Sequence, residues 1–327
     1  MKRILLIIGL LLSVYSFTMY GQTKAYYKFS SATTGNYSAT EYILLEPGFQ
    51  STNFSAIINP DPYIPVVFSD ENYIFTRVYQ EPIKNSSEIV QSKDILESIT
   101  YFDGLGRAKQ SIGIGQSPNK KDIVTHIEYD DFGRQVKEYL PYTTTTKNGA
   151  IITGDVAAAT KSYYQVKHSE DFAGVTLPDD INAYSEKQFE GSPLNRVLKQ
   201  AAPGEAWKLG NGHEIEFDYD TNITTEVKNY DVTTSFTDKT YTPTLGLSTV
   251  NNGNYTAGKL FKTLTKDENW TSGLDHTTEE FKNKQGQVLL KRTYNDGQNH
   301  DTYYVYDDFG NLTYVLPPKA EAQTDKP

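Results

Sequence analysis

Cysteine is absent from the 327 residues, and this excludes two things. No disulfide can staple the fold, and no lipidated cysteine can tether the mature N-terminus. Tryptophan and methionine are scarce, at two each, and histidine occurs five times. His126, His168, His213, His276 and His300 form neither H-x-H nor H-E-x-x-H, so no zinc site is written locally and a structural role is the reading for each. There is no G-x-S-x-G elbow. Gly104-x-Gly106 lacks the third glycine and the strand-to-helix context of a nucleotide loop. An excess of positive charge is missing too: 31 Lys and Arg stand against 41 Asp and Glu, a net charge of −10. That balance does not suit the phosphates of a nucleic acid or an anionic membrane surface, whereas it does suit an exported β-protein that must stay soluble. No catalytic, cofactor-binding or metal residue is therefore assigned, and a non-enzyme is expected. Stability must come from burial, for which this length supplies one large or two modest cores.

What the chain does have is aromatic residues, 25 Tyr and 15 Phe, which favour pleated, half-buried surfaces. It also has an internal repeat. Tyr129-Asp130-Asp131-Phe132-Gly133 recurs as Tyr306-Asp307-Asp308-Phe309-Gly310, followed by Arg134 in the first copy and Asn311 in the second. Asp at the first position and Gly at the fourth suit a type I turn whose last residue is left-handed, the geometry of a hairpin loop. Flanking residues alternate with strand period, as at Ile127 and Tyr129. Three further stretches share this turn chemistry. They are Asp103 to Gly106 with Arg107, Asn283 to Gly286, and Ser192 to Asn195 with Arg196. In each, an aromatic precedes: Phe102, Phe281 and Phe189. The five turn-ending residues, Gly106, Gly133, Asn195, Gly286 and Gly310, are expected at positive φ, and the aromatics are expected to be packed. Spacing is irregular, at 27 residues from Gly106 to Gly133 but 62 from Gly133 to Asn195, which disfavours a solenoid of fixed period. The carboxylate pairs Asp130-Asp131 and Asp307-Asp308 diverge on a tight turn, and backbone capping accounts for the first Asp of each.

The pattern aromatic-Asp-x-x-Gly-Arg resembles the YD repeat of bacterial Rhs proteins. SITYFDGLGRAKQSIGI, DIVTHIEYDDFGRQVKEYLPY, SEKQFEGSPLNRVLKQAAPG, TKDENW and YYVYDDFGNLTYVLPPK further resemble the uncharacterised domain that precedes the Rhs repeat core in many exported proteins. The resemblance runs from about Asn72 to Lys319. It implies hairpins that wind, in longer relatives, into a β-shell around a C-terminal effector, often a toxin. The partners it implies are that downstream repeat core and that effector. The family carries no established activity.

Met1-Lys2-Arg3, the apolar run Ile4 to Leu12 and the following Ser13 read as a secretory signal peptide over residues 1–21. Its apolar core is too short to span a bilayer, and no membrane span is expected after cleavage. Residues 22–70 read as an N-terminal β segment. There EYILLEPGFQSTNFSAII resembles a short β-solenoid coil of exported surface proteins, with an ordinary pair of edge strands as the alternative. Pro60, Pro62 and Pro65 mark a boundary, and residues 71–327 read as the Rhs-like hairpin domain. One helix is expected, capped by Asp155 and running to about Gln165. Asn211-Gly212 and Asn252-Gly253 are read as turns between further antiparallel strands, and Asp296-Gly297 as a hairpin turn in preference to a calcium loop.

The expected fold is mainly β, built of antiparallel YD-type hairpins, with a short N-terminal solenoid segment and one short helix. The expected function is a non-catalytic scaffold or shell segment of an exported protein, secreted or at the cell surface, ending before any effector. A surface glycan is the alternative partner, with Trp207 and Trp270 as the candidate stacking residues against ordinary packing for both.

Overall fold

A computed structural model describes residues 24–144 and 148–321. The signal peptide read over residues 1–21 lies outside the described residues. Strand outweighs helix by 43% to 12%, so the protein is mainly β. Among the described residues, no helix is long and apolar enough to cross a membrane. The chain divides into two compact units, Met1–Val66 with Thr76–Glu97 and Val67–Phe75 with Ser98–Pro327.

In the first unit, β1 (Lys24–Phe29), β2 (Gly35–Leu45) and β3 (Phe54–Ile58) pair in parallel, as the coil of a solenoid would. Alternation alone left this open against a pair of edge strands. Gly35 and Gly48, at φ 122° and 90°, sit where the chain turns between these strands. Aromatics hold the coil together, with Phe29 4.7 Å from Tyr37 and 5.1 Å from Phe54, and Phe49 4.9 Å from Phe54. Leu45 and Ile57, apolar residues of that stretch, are exposed, because these rings already fill the interior. The same unit buries Glu97, which accepts from Arg77 Nε at 2.6 Å and from the Tyr63 hydroxyl at 3.2 Å.

Strands β4 (Tyr73–Tyr79) and β5 (Ile95–Phe102) contribute residues to both units. With β6 (Ala108–Ile114), β7 (Ile123–His126) and β9 (Tyr142–Thr143) they form a five-stranded sheet in the order β4-β5-β6-β7-β9. Its core is Ile99, Tyr101, Ile112, Val124 and Tyr142. These residues come from β5, β6, β7 and β9, and along β5 burial alternates residue by residue with strand period. After β8 (Lys137–Tyr139) and β9 (Tyr142–Thr143), helix α1 (Val156–Lys167) covers this core with Val156, Ala159 and Tyr163. Asp155 caps it as expected, its Oδ1 accepting from Ala158 N at 2.8 Å.

The larger sheet has nine antiparallel strands. They are β10 (Tyr184–Phe189), β11 (Val197–Ala201), β12 (Ile215–Thr221), β15 (Phe261–Lys266), β16 (Thr277–Lys282), β17 (Val288–Asn295), β18 (Gln298–Tyr306) and β19 (Leu312–Leu316), with β8 at the β10 edge. A short helix, α2 (Pro318–Glu321), follows β19 and adds to the one helix expected. Between β12 and β15 the chain leaves the sheet at Asn222 and returns at Leu260. Buried Asn222 pins the exit and return together. Its Oδ1 accepts from Lys259 N and Leu260 N at 2.9 and 2.8 Å, and its Nδ2 donates to Thr256 O at 3.0 Å. The excursion carries a separate hairpin of β13 (Tyr230–Thr237) and β14 (Thr240–Leu247), closed by Asp238 and Lys239 at φ 51° and 66°. Val227, Tyr230 and Tyr255 from it pack over Phe281, Leu290 and Tyr303 of the sheet. Asn252-Gly253, read as a turn between strands, lies in a 3-10 turn, Val250–Gly253, that brings the excursion back. Asp296-Gly297 does close the β17–β18 hairpin, with φ of 50° and 71°.

Charged residues lock the excursion to the sheet. Arg292 donates to both oxygens of Asp301, at 2.6 and 2.7 Å, and its Nη1 lies 3.6 Å from Glu279. Lys262 bridges Glu279 and Glu226, the latter on the excursion, at 2.7 Å each. The Asp301 carboxylate beside it holds the Arg292 guanidinium above its ordinary range. Asp301 is buried, so removing the arginine leaves its carboxylate without a cation, while Glu279 keeps Lys262. Arg292→Met is therefore expected to lower the free energy of unfolding by about 3–5 kcal/mol. Urea denaturation reads this directly, and a loss below about 1 kcal/mol would mean the network is solvated and expendable.

Candidate functional site

The five turns of the repeat share one construction. In the first, Gly106 N donates to Asp103 O at 3.0 Å and Asp103 N to Arg107 O at 2.8 Å. The Asp103 side chain then fills the loop, Oδ1 accepting from Leu105 N and Arg107 N and Oδ2 from Arg107 Nε, at 2.9, 2.9 and 2.8 Å. Asp130 repeats this set with Phe132 N, Arg134 N and Arg134 Nε at 2.9, 2.8 and 2.8 Å. Asn283 and Asp307 keep the two backbone contacts and replace the guanidinium with an amide: Asn283 Nδ2 donates to Gln287 Oε1, and Asn311 Nδ2 donates to Asp307 Oδ2. Gly106, Gly133, Asn195, Gly286 and Gly310 have φ of 77°, 77°, 53°, 82° and 82°, the left-handed residue at the end of each turn. The outgoing strand then bulges: Leu198, Leu289 and Thr313 each stand opposite no partner, at the same offset from the turn.

The third turn departs in an instructive way. Ser192 takes the first turn position, accepting Asn195 N on its carbonyl and Leu194 N on its hydroxyl. The carboxylate, however, is supplied by Glu190, two residues earlier. Glu190 accepts from Arg196 N at 3.1 Å and from Arg196 Nε and Nη2 at 3.0 and 2.7 Å. Glu190 was not singled out in the sequence because a two-residue insertion displaces it from the Asp position. Its longer side chain restores the reach.

Registers place all the tips at one end of the sheets. Thr221 pairs with Phe261 and Phe261 with Lys282, beside the fourth tip, while Tyr306 pairs with Leu312 beside the fifth. Strand β8 leaves the second tip and runs antiparallel to β10, which ends at the third. Ile127 donates to Lys109 O and bridges to Glu138, joining the first two tips to the rest.

Across these adjacent tips, each residue after the turn reaches its neighbour. Arg107 lies over the Tyr129 ring at 4.4 Å, and a methyl group added to Gly133 would sit 3.4 Å from its Nη1. Arg134 lies over Phe189 at 4.7 Å and donates to Asn195 Oδ1 at 3.1 Å. Arg196 lies over Tyr219 of the next strand at 4.7 Å. Gln287 donates to Gly310 O at 3.3 Å. The arginines thus cap their own turn and stack on the next, a relay that neither spacing nor composition announced. Phe102, Tyr129, Phe189 and Tyr306 are partly buried and none of the five aromatics is exposed. Phe281 differs: it stands two residues before Asn283, so strand alternation turns it into the core with Leu290, and Lys282 takes the preceding position.

The carboxylates register these contacts electrically. Backbone N–H donation from Arg107 and Arg134, joined by their guanidinium groups, lowers Asp103 and Asp130 below the usual range. The Arg196 guanidinium holds Glu190 at about 2, and the Tyr241 hydroxyl, with Asn311, holds Asp307 at about 2. Asp131 and Asp308, the second members of each pair, are exposed. Among the described residues, no group of three or more His, Asp or Glu could hold a metal ion.

The two tryptophans are not equivalent. Trp270 is capped by the Lys266 ammonium at 4.4 Å, and its indole N–H donates to Gly273 O at 3.0 Å. Trp207 is partly exposed, with the His213 ring 5.2 Å away, and it lines a cavity on the face of the nine-stranded sheet.

Residues 75–221 match a family described as a domain of unknown function, DUF6443. No curated protein matches the chain. A solved structure described as the crystal structure of TcdB2-TccC3 is similar at 16% identity and a TM-score of 0.37, over 70% of this chain. This chain spans 9% of the length of that one.

Two outcomes are expected of the relay. A double-mutant cycle of Arg134→Ala with Phe189→Leu should give a coupling of about 0.5–1 kcal/mol in urea titrations, and strict additivity would dissolve the stacking argument. In the second, the depressed carboxylates are ionised in the folded protein while the unfolded chain takes up protons first. Stability should accordingly be full above pH about 5 and fall as pH drops through the ordinary carboxylate range toward about 2. Asp103→Asn with Asp130→Asn should flatten that fall, as read from unfolding midpoints at stepped pH. An unchanged slope would refute the assignment.

Proposed function

We propose that this chain is a non-catalytic structural segment of an exported Rhs-type protein, a scaffold whose stacked hairpins supply part of a shell or cell-surface framework. One observation carries the reading: the polar residues of the repeated motif are consumed by their own turn and by the next one. Asp103, Asp130, Glu190 and Asp307 face backbone N–H groups and a neighbouring side chain, and Arg107, Arg134 and Arg196 are each stacked on a ring. A motif spent in this way propagates a sheet by side-chain contact, as a scaffold needs. The natural partners are a downstream repeat core and the effector it encloses, as in longer Rhs proteins. Export follows from the basic start and apolar block of the first 21 residues.

Expression of the full chain in a bacterial host tests both halves of the proposal. The mature protein is expected outside the cytoplasm with an N-terminus near Gln22, read by intact mass. Purified, it is expected to turn over no glycan, peptide or ester substrate. Retention of Met1 to Gly21 would remove the exported reading, and sustained hydrolysis abolished by one point substitution would remove the scaffold.

A further inference from the structure

We infer that the cavity beside Trp207 binds a neutral sugar ring. The cavity is about 390 Å³, within the range of small-molecule sites, and lies where the β11–β12 loop folds back over the sheet. Its floor is apolar, with Ile215 from β12, and Trp207 stands at its side, 39% exposed. Around this apolar surface stand polar groups able to meet hydroxyls: the Ser185 hydroxyl, the Gln200 amide, His213 and Glu268. Ser185 and Gln200 make no side-chain hydrogen bond among the described residues, so on a strand-bordered wall they offer free donors and acceptors. An indole beside unpartnered hydroxyl and amide groups matches a pyranose, which presents a C–H face for stacking and a rim of hydroxyls.

Charge narrows the class. No lysine or arginine lines the cavity, and Glu268 does, so a phosphate or uronate would enter unpaired against a carboxylate. The platform is also built in advance. Trp207 N donates to Gly204 O at 3.0 Å, and buried Asn182 Nδ2 donates to the same carbonyl at 2.8 Å. Asn211 Nδ2 holds Glu205 O at 2.6 Å, and Gly204 sits at φ 104°, where a side chain would be strained. Little ordering is left for a ligand to impose on the loop. Trp270, half-buried, capped by Lys266 and hydrogen-bonded to Gly273 O, serves as the control.

The presence of only two tryptophans makes the test direct. Trp270→Phe leaves Trp207 as the single tryptophan of the full chain, excited selectively at the red edge beyond tyrosine absorption. Titration with neutral gluco-, manno-, galacto- and N-acetylhexosamine oligosaccharides up to about 10 mM should give a saturable emission change for at least one series. Polygalacturonate should give none. By calorimetry, Trp207→Ala should weaken the same ligand about tenfold or more and Gln200→Ala severalfold, with thermal unfolding unchanged for Gln200→Ala. The inference is overturned by silence across the neutral series, by binding that survives Trp207→Ala, or by binding confined to the anionic polymer. The scaffold reading stands or falls separately, on export and turnover.

Discussion

The second unit depends on a carboxylate held inside a five-residue loop by the backbone and the guanidinium of the residue that leaves it. That contact fixes the turn, and because the guanidinium is planar its outer face stays available for a ring. Lys could neutralise the carboxylate but could not offer the fork and the flat face together. Turn geometry and inter-hairpin contact are therefore one interaction seen from two sides. Where the pair is replaced by amides, at Asn283 with Gln287, the forward contact persists as a hydrogen bond to Gly310 O, and the ring contact is not used.

This explains how an irregular sequence period yields a regular arrangement. The relay requires neighbouring tips, not equal chain lengths between them. The 62 residues from Gly133 to Asn195 accommodate β9 and α1, and the Asn222–Leu260 excursion leaves and rejoins the sheet between two paired strands. Both insertions also cover a core: α1 lies on the five-stranded sheet, and the excursion lies over Phe281, Leu290 and Tyr303. A solenoid of fixed repeat would need separate elements for that task.

The turns were legible in the sequence because Asp, Gly and Asn act within four residues of themselves. Their partners were not, since Arg134 finds Phe189 55 residues away across an interval whose length says nothing about contact. Glu190 escaped notice because two inserted residues moved it off the motif, and Phe281 is packed as expected but stands one residue earlier than the other rings, which in a strand turns it to the opposite face. The parallel pairing of β1, β2 and β3 could not be told from antiparallel pairing, because both alternate with the same period. Nothing local in the sequence marks Lys262, Glu279, Arg292 and Asp301 as one network. Glu279 and Asp301 are buried and the two cations half-buried, and Glu226 arrives from a distant excursion that no local pattern connects to them.

The third residue of four of the turns is apolar and turned outward, with only Phe132 touched by the relay, under Arg134 at 5.0 Å. Leu105, Phe132, Leu194 and Phe309 are 79%, 81%, 70% and 77% exposed, while the backbone beneath them is fixed by the residues on either side. With two strands to a hairpin, adjacent tips stand about 10 Å apart, except that β12 and β15 stand between the third tip and the fourth and double that interval. The rim is in effect a line of mounting points whose positions the sheet sets. A peptide epitope, a dye or a crosslinker installed there would be displayed at intervals of two or four strand widths, on a frame that does not have to be redesigned to hold it.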